Sequence, residues 1–334
     1  MIMRAYIKAI SYYLPDRIIT NEDLVNLFPE WSVEKIATKI GVSVRHIVGK
    51  NETAADLAFH AAEKLFVEHS IDRSSIDFLL LCTQSPDYFL PTTACVLQER
   101  LDLPTSVGAL DFNLGCSGYE YGLALAKGLI IGRIARNVLL LTAETYSKFI
   151  HPSDKGNLTI FGDGASASLI SDNGFAEIRE FSLGTDGKGS ENLIVKTGAL
   201  RNKDILDDLV FDDANNPKSS DYLFMDGKAI FDFTAHAVPL MVEDVLTKSA
   251  LKLGDVDLFV FHQANKYMIN YLRKLIGIEK EKFYIFLDTV GNTVSSTIPI
   301  ALYEAQKEGR LKGNVLIAGF GVGYSYAATM LKIL

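Results

Sequence analysis

The sequence predicts an α/β fold built from two similar halves, and three observations point to it. Short apolar runs rich in Leu, Val, Ile and Phe alternate with segments of helical spacing. Those runs are nearly unbroken, as in strands buried on both faces. Three stretches of the first half also recur, in the same order, in the second.

The first pair is "IDFLLLCTQSPDY" at Ile76–Tyr88 and "VDLFVFHQANKY" at Val256–Tyr267, each an Asp, an apolar run and then polar residues. Next, "GCSGYEYGLALA" from Gly115 corresponds to "GNTVSSTIPIALYEA" from Gly291, and "IGRIARNVLLLTAE" from Ile131 to "EGRLKGNVLIAGF" from Glu308. All three lie roughly 180 residues apart, the mark of a duplicated unit. The intervening stretches Ala54–His69 and Ile298–Glu308 have helical spacing. The expected halves are Met1–Asp172 and Asn173–Leu334. The polar, turn-rich stretch Gly198–Tyr222 reads as an insertion or lid.

Composition removes several classes. With 334 residues, 48% hydrophobic and 22% charged, the chain has a globular composition. A formal charge of −8 and the lack of any Lys/Arg-rich block argue against nonspecific nucleic-acid binding. Cys82, Cys95 and Cys116 form no CxxC, which gives no zinc signature and fits a reducing compartment. There is no basic, apolar, small-residue leader at the N-terminus and no run of 18 apolar residues. The expected location is the cytoplasm, with no membrane span.

Cys116 is the first candidate for chemistry. It sits between small residues where an apolar strand gives way to an apolar helix. A helix start favours a thiolate and offers N–H groups to an oxyanion. The plainer reading is a small packing residue, which is how Cys82 and Cys95 are read. His262 follows the run "LFVF" directly, so it is either a general acid–base group aimed into a cleft or a hydrogen-bonded core histidine. Asn292, at the repeat position matching Cys116, is a turn or N-cap residue or a donor beside a reacting thioester. If the halves pack about a pseudo-twofold axis, the three converge on one site.

The glycine-rich stretches Phe161–Ile170 and Ala318–Leu331 lack a P-loop lysine and a dinucleotide-binding context, so close backbone approach is their expected role. Asp163 and Glu144 are read as turn or ion-pair residues. A papain-like hydrolase also uses Cys, His and Asn, but its fold is not duplicated in this way.

These residues, in this order, resemble the thiolase superfamily, and within it β-ketoacyl-acyl-carrier-protein synthase III. The likeness covers nearly the whole chain and includes "SPDYFLPTTACVLQERL", "DFNLGCSGYEYGLALA", "LTIFGDGASASLI", "FHQAN", "GNTVSSTIPIAL" and "GFGVG". It implies a five-layered α-β-α-β-α fold of two duplicated halves, a homodimer, and Leu90 of "FLPTT" reaching the other subunit's acyl pocket. It also implies that Cys116 takes an acyl group from acyl-CoA, with the N–H groups of Cys116 and Val322 holding the oxyanion. His262 and Asn292 then stabilise the enolate of a malonyl-acyl carrier protein, which attacks the acyl-cysteine. Phe161, Met225, Phe320 and the 198–222 insertion would shape the acyl site, and Lys39 and Lys155 would meet CoA. No cofactor or metal is implied.

Several positions depart from the family pattern. Lys39 and Lys155 stand where the family has arginines, losing the bidentate fork. Tyr267 takes the place of a basic residue linked to carrier-protein docking, one position after Lys266. Trp31, matching the adenine-stacking tryptophan, is spaced further than usual from Lys39. Val322 replaces a glycine, and "GVGYSYAAT" replaces the usual ending. They suggest a specialised member in a secondary-metabolite or glycan pathway. The alternatives are an acyl-CoA-dependent acyltransferase to a hydroxyl or amine, and a non-catalytic partner of an active synthase.

Overall fold

The structure, a computed structural model, describes residues 3–213 and 215–334. Met1, at the start of the first expected half, and Ala214, inside the expected insertion, lie outside the described residues.

A ten-stranded sheet organises the molecule. Its strands in chain order are β1 (Tyr6–Tyr13), β2 (Phe78–Cys82), β3 (Gly108–Phe112), β4 (Asn137–Glu144), β5 (Gly164–Ser171) and β6 (Ala176–Thr185). They continue with β7 (Leu258–Phe261), β8 (Phe283–Tyr284), β9 (Asn314–Gly321) and β10 (Ser325–Ile333). Across the sheet the order is β8-β7-β9-β10-β6-β1-β5-β4-β2-β3. Read outward from β1 and from β6, the two sides repeat each other: two antiparallel pairings, then two parallel ones. A short contact, Tyr6 with Glu177 and Ile7 with Ala176, joins them. The repeated segments fall on β2 and β7, β4 and β9, and the two helices that follow β3 and β8.

Three helical layers cover these strands. On one outer face lie α1 (Ala54–Glu68) and α2 (Thr93–Arg100), burying Leu57, Leu65 and Leu97 against Leu79, Leu81, Leu139 and Leu141. Alternate residues of the same strands, Leu80 and Leu140, face inward. There they meet α3 (Gly118–Ile131), which shares a core with Val260, Val315 and Ile317 of the other side. Beyond it, α4 (Gly227–Lys248) and α5 (Lys266–Ile276) form the second outer layer. The last helix, α6 (Thr297–Lys307), joins α3 in the central layer through Ile298 and Leu302. Burial on both faces is why the strands read as unbroken apolar runs.

Local signals fix the ends of these elements. Thr53 and Asp56 form a capping box at α1, and Asn265 accepts from Met268 N–H at the start of α5. The 198–222 stretch carries a two-residue hairpin, Val210–Phe211 with Pro217–Lys218, and leaves Leu200 and Ile205 exposed. Among the described residues no helix is long and apolar enough to cross a membrane.

Candidate active site

Cys116 lies in the turn between β3 and α3, and the close approach of β9 determines its surroundings. A Cβ at Gly319 would stand 2.5 Å from the Cys116 carbonyl oxygen, and one at Gly321 2.8 Å from Sγ. Only glycines let this strand pass so near the turn. Ser117, the residue before α3, shares a 2.7 Å hydrogen bond with Ser325 of β10, tying the turn to the other side of the sheet.

The helix begins at Gly118, two residues after Cys116, and this bears on the expected thiolate. Burial pushes the Cys116 thiol up to about 12, and Glu144 adds to the rise, while the N–H groups of Val322 and of Cys116 itself pull it down. The cost of burying a charge exceeds the help from the helix end, so the resting sulfur is a neutral thiol. The other cysteines have different settings. Cys82 donates to the Leu114 carbonyl and packs against Gly118, and Cys95 is exposed.

His262 sits at the end of β7, 2% exposed, its N–H bonded to Ala318 of β9. Nδ1 lies 2.7 Å from the Thr297 hydroxyl at the start of α6, and the ring meets Phe320 edge-on at 5.9 Å. Burial lowers its pKa to about 3, so the imidazole is neutral. The Thr297 hydroxyl also lies 3.0 Å from the Val294 carbonyl. It has one proton to give, so its rotation decides which ring nitrogen of His262 is protonated.

Asn292 is held at both ends. Its backbone bonds to Ile160 and Gly162, and its Oδ1 accepts from Val294 N–H at 2.9 Å. Val294 takes φ +55°, a left-handed conformation uncommon for a β-branched residue. With Oδ1 engaged, Nδ2 is left as the donor, 3.4 Å from the Ala264 carbonyl. The asparagine is thus a fixed amide donor, and it lies before α6 rather than capping it.

Cys116, His262 and Asn292 line one apolar cavity of about 150 Å³ together with Phe161, Met225 and Phe320. Sequence reasoning missed Leu193, Ile230, Thr234 and Met268, which also line it. Ile230 and Thr234 stand four apart on α4, a spacing indistinguishable from ordinary core. Three expected side chains lie elsewhere. Lys39 is exposed at the end of a short helix, Lys155 is paired with Glu30 at 2.7 Å, and Leu90 is 83% exposed beside exposed Phe89. Trp31, next to Glu30, carries the Lys35 ammonium 4.8 Å over its ring.

Two buried carboxyls brace the site. Glu144, at the end of β4, accepts from Gln84 N–H and from the hydroxyls of Ser85 and Ser295. Asp163 accepts from the N–H groups of Val48 and Ser147 and from the Ser147 hydroxyl. In place of the ion pair or turn expected of them, both are held by N–H and O–H donors. Burial raises Glu144 to about 8 and Asp163 to about 6. Among the described residues no group of three or more His, Cys, Asp or Glu side chains could hold a metal ion.

Known proteins resemble this chain over nearly its whole length. Residues 110–187 match the 3-oxoacyl-[acyl-carrier-protein] synthase III family, and residues 246–333 match its C-terminal region. The β-ketoacyl-[acyl-carrier-protein] synthase III of Clostridium tetani is 35% identical, over 96% of each chain. A 2.1 Å crystal structure of a 3-oxoacyl-(acyl-carrier-protein) synthase III superposes with a TM-score of 0.96 at 46% identity, covering 99% of this chain and all of the other. The 3-oxoacyl-(acyl-carrier protein) synthase of Burkholderia xenovorans gives 0.90 at 36% identity, covering 99% and 94%. The chain belongs to the 3-oxoacyl-[acyl-carrier-protein] synthase III family, with the thiolase fold.

Proposed function

We propose that the protein joins an acyl group from acyl-CoA to a malonyl-acyl carrier protein by decarboxylating condensation, through an acyl-Cys116 intermediate. The observation that carries this reading is the convergence of Cys116, His262 and Asn292 on one apolar cavity. The two halves, 1–172 and 173–334, contribute the nucleophile and the His–Asn pair respectively.

In the first stage the neutral thiol gives its proton to His262 Nε2 while Nδ1–H is held by Thr297, and the sulfur attacks the thioester carbonyl. The N–H groups of Cys116 and Val322, which already face the sulfur, hold the oxyanion. The C–S bond to CoA then breaks, and the CoA sulfur leaves with the proton from His262.

In the second stage the ring exchanges its Nδ1 proton with solvent and takes one up on Nε2, the Thr297 hydroxyl turns to donate to the bare Nδ1, and Nε2–H and Asn292 Nδ2 hydrogen-bond the malonyl thioester oxygen. Carbon dioxide departs, its bonding electrons forming the enolate that these donors stabilise. That carbon attacks acyl-Cys116, the Cys116 sulfur leaves as a thiolate and takes a proton from water, and a 3-ketoacyl thioester results. No cofactor enters either stage.

A dry cavity of about 150 Å³ accommodates benzene, so an acyl chain of about two to six carbons suits this one. The stripe of Lys266, Arg273, Lys280 and Arg310 beside α5 offers the acidic carrier protein a docking surface. Homodimerisation would cover the open edge of β3 and carry Leu90 into the partner's acyl site. The three free cysteines fit the cytoplasm.

One observation favours acyl transfer to a hydroxyl or amine as a second reading. A cavity of about 360 Å³ with mixed polar and apolar walls, lined by Asp212, Lys218 and Tyr222 of the insertion, shares Met225 and Gly227 with the proposed catalytic cavity. Product analysis separates the two readings. With a short acyl-CoA and malonyl-acyl carrier protein, condensation releases carbon dioxide and yields the 3-ketoacyl carrier protein. Loss of acyl from the enzyme to added alcohols or amines, without that product, would overturn it.

A further inference from the structure

Glu120 is wholly buried in α3, one turn beyond Cys116, and neither of its carboxyl oxygens meets a hydrogen-bond donor other than, weakly, its own backbone N–H. An ionised carboxylate without partners is among the costliest groups to place in a protein interior. It occupies the third position of the helix, where glutamate commonly reaches back to the N-cap N–H, yet no side-chain cap forms. Its Oε2 is turned toward β9. There it and the Cys116 carbonyl oxygen crowd the same side of Gly319, at 2.6 and 2.5 Å from where a Cβ would stand. The backbone bonds on either side, Gly118 N–H to Gly115 and Tyr121 N–H to Ser117, leave the Cys116 carbonyl to another donor. A carboxylic acid can be that donor, whereas a carboxylate cannot.

We propose that Glu120 is a positioning residue for the nucleophile: a protonated carboxylic acid whose O–H donates to the backbone of the Cys116 turn. This rests on the reading of Cys116 as the nucleophile. The charge pattern agrees with it. The ionisable groups that interact with Glu120 are the thiols of Cys116 and Cys82 and the Tyr119 hydroxyl, which bonds to Ser168. Glu144 acts on the same two thiols. None of these groups is a cation, and burial holds Glu120 well above the usual carboxylate range. A negative charge here would oppose both the departing thiol proton and the oxyanion, so the neutral form alone is compatible with turnover.

The test uses Glu120→Gln, neutral and still a donor, and Glu120→Met, of similar bulk with no donor. The infrared difference spectrum between the natural protein and Glu120→Gln should show a protonated-carboxyl band and no carboxylate band at about pH 7. Glu120→Gln should acylate Cys116 within about threefold of the natural rate, while Glu120→Met should be about tenfold slower at saturating acyl-CoA with unchanged half-saturation. Alkylation at Cys116, read by peptide mass spectrometry, should keep its pH profile in Glu120→Gln. A carboxylate band, or faster alkylation of Glu120→Gln near neutral pH, would show a charged Glu120 and overturn the proposal. So would normal acylation of Glu120→Met, which leaves only packing. Should Glu120→Met fail to fold, the spectrum and the Glu120→Gln profile still decide. Failure of the natural protein to take any acyl group would remove the nucleophile itself, a result separable from the state of Glu120 because the infrared band does not depend on turnover.

Discussion

His262 and Cys116 are both neutral at rest, and a single hydroxyl, that of Thr297, sets the tautomer of the histidine. Thr297→Val keeps the shape and removes this contact. Its kcat should fall by about tenfold to a hundredfold with little change in KM, and Thr297→Ser should recover most of the activity. Steady-state kinetics checks both. Cys116, His262 and Asn292 stood out in the sequence because each follows or precedes an apolar run of the repeat, and the catalytic roles proposed for them came from the family resemblance. Thr297 did not stand out, because a threonine opening a helix reads as a cap. The thiolate was expected from the helix start alone. Burial, a tertiary property that no local pattern carries, works against it by raising the thiol's pKa.

At the scale of elements, β9 passes close to Cys116, the proposed nucleophile. A Cβ at Gly319 would meet the Cys116 carbonyl, Ser117 and Glu120 at once, so Gly319→Ala must push the turn away from the strand. The expected outcome is a loss of about 2 kcal/mol or more in denaturant unfolding, together with loss of Cys116 acylation. The glycine-rich stretch from Ala318 was read correctly as close backbone approach, since neither nucleotide motif fitted. Helix limits also followed from the sequence: Ala54–His69 became α1 and Ile298–Glu308 became α6, each within a residue or two. Ile230, Thr234 and Met268 stayed hidden because helical spacing does not tell a pocket wall from a core.

Across the whole molecule, two sets of strands in the same order present their loops to one cavity. Three repeats in series made that architecture visible in the sequence. The short β1–β6 contact that merges both sets into one sheet left no trace, since it involves only two residue pairs. Buried carboxyls at the junction give the molecule a characteristic pH response. Burial raises Glu144 from 4.5 to about 8, so the folded state holds a proton that the unfolded state releases. Its contribution is therefore complete below 4.5 and is lost as pH rises through about 8. Asp163 acts in the same direction, between 3.8 and about 6. Glu144→Gln cannot ionise, so the melting temperature of the natural protein should fall relative to this variant across that interval. A difference that is constant with pH would contradict the burial of a neutral Glu144.

The most direct test of acyl transfer through Cys116 is the intact mass of the protein after incubation with short-chain acyl-CoAs. The natural protein should gain one acyl group, mapped to Cys116 by peptide analysis, and Cys116→Ala should gain none. Acylation that persists in Cys116→Ala, or maps to Cys82 or Cys95, would contradict it.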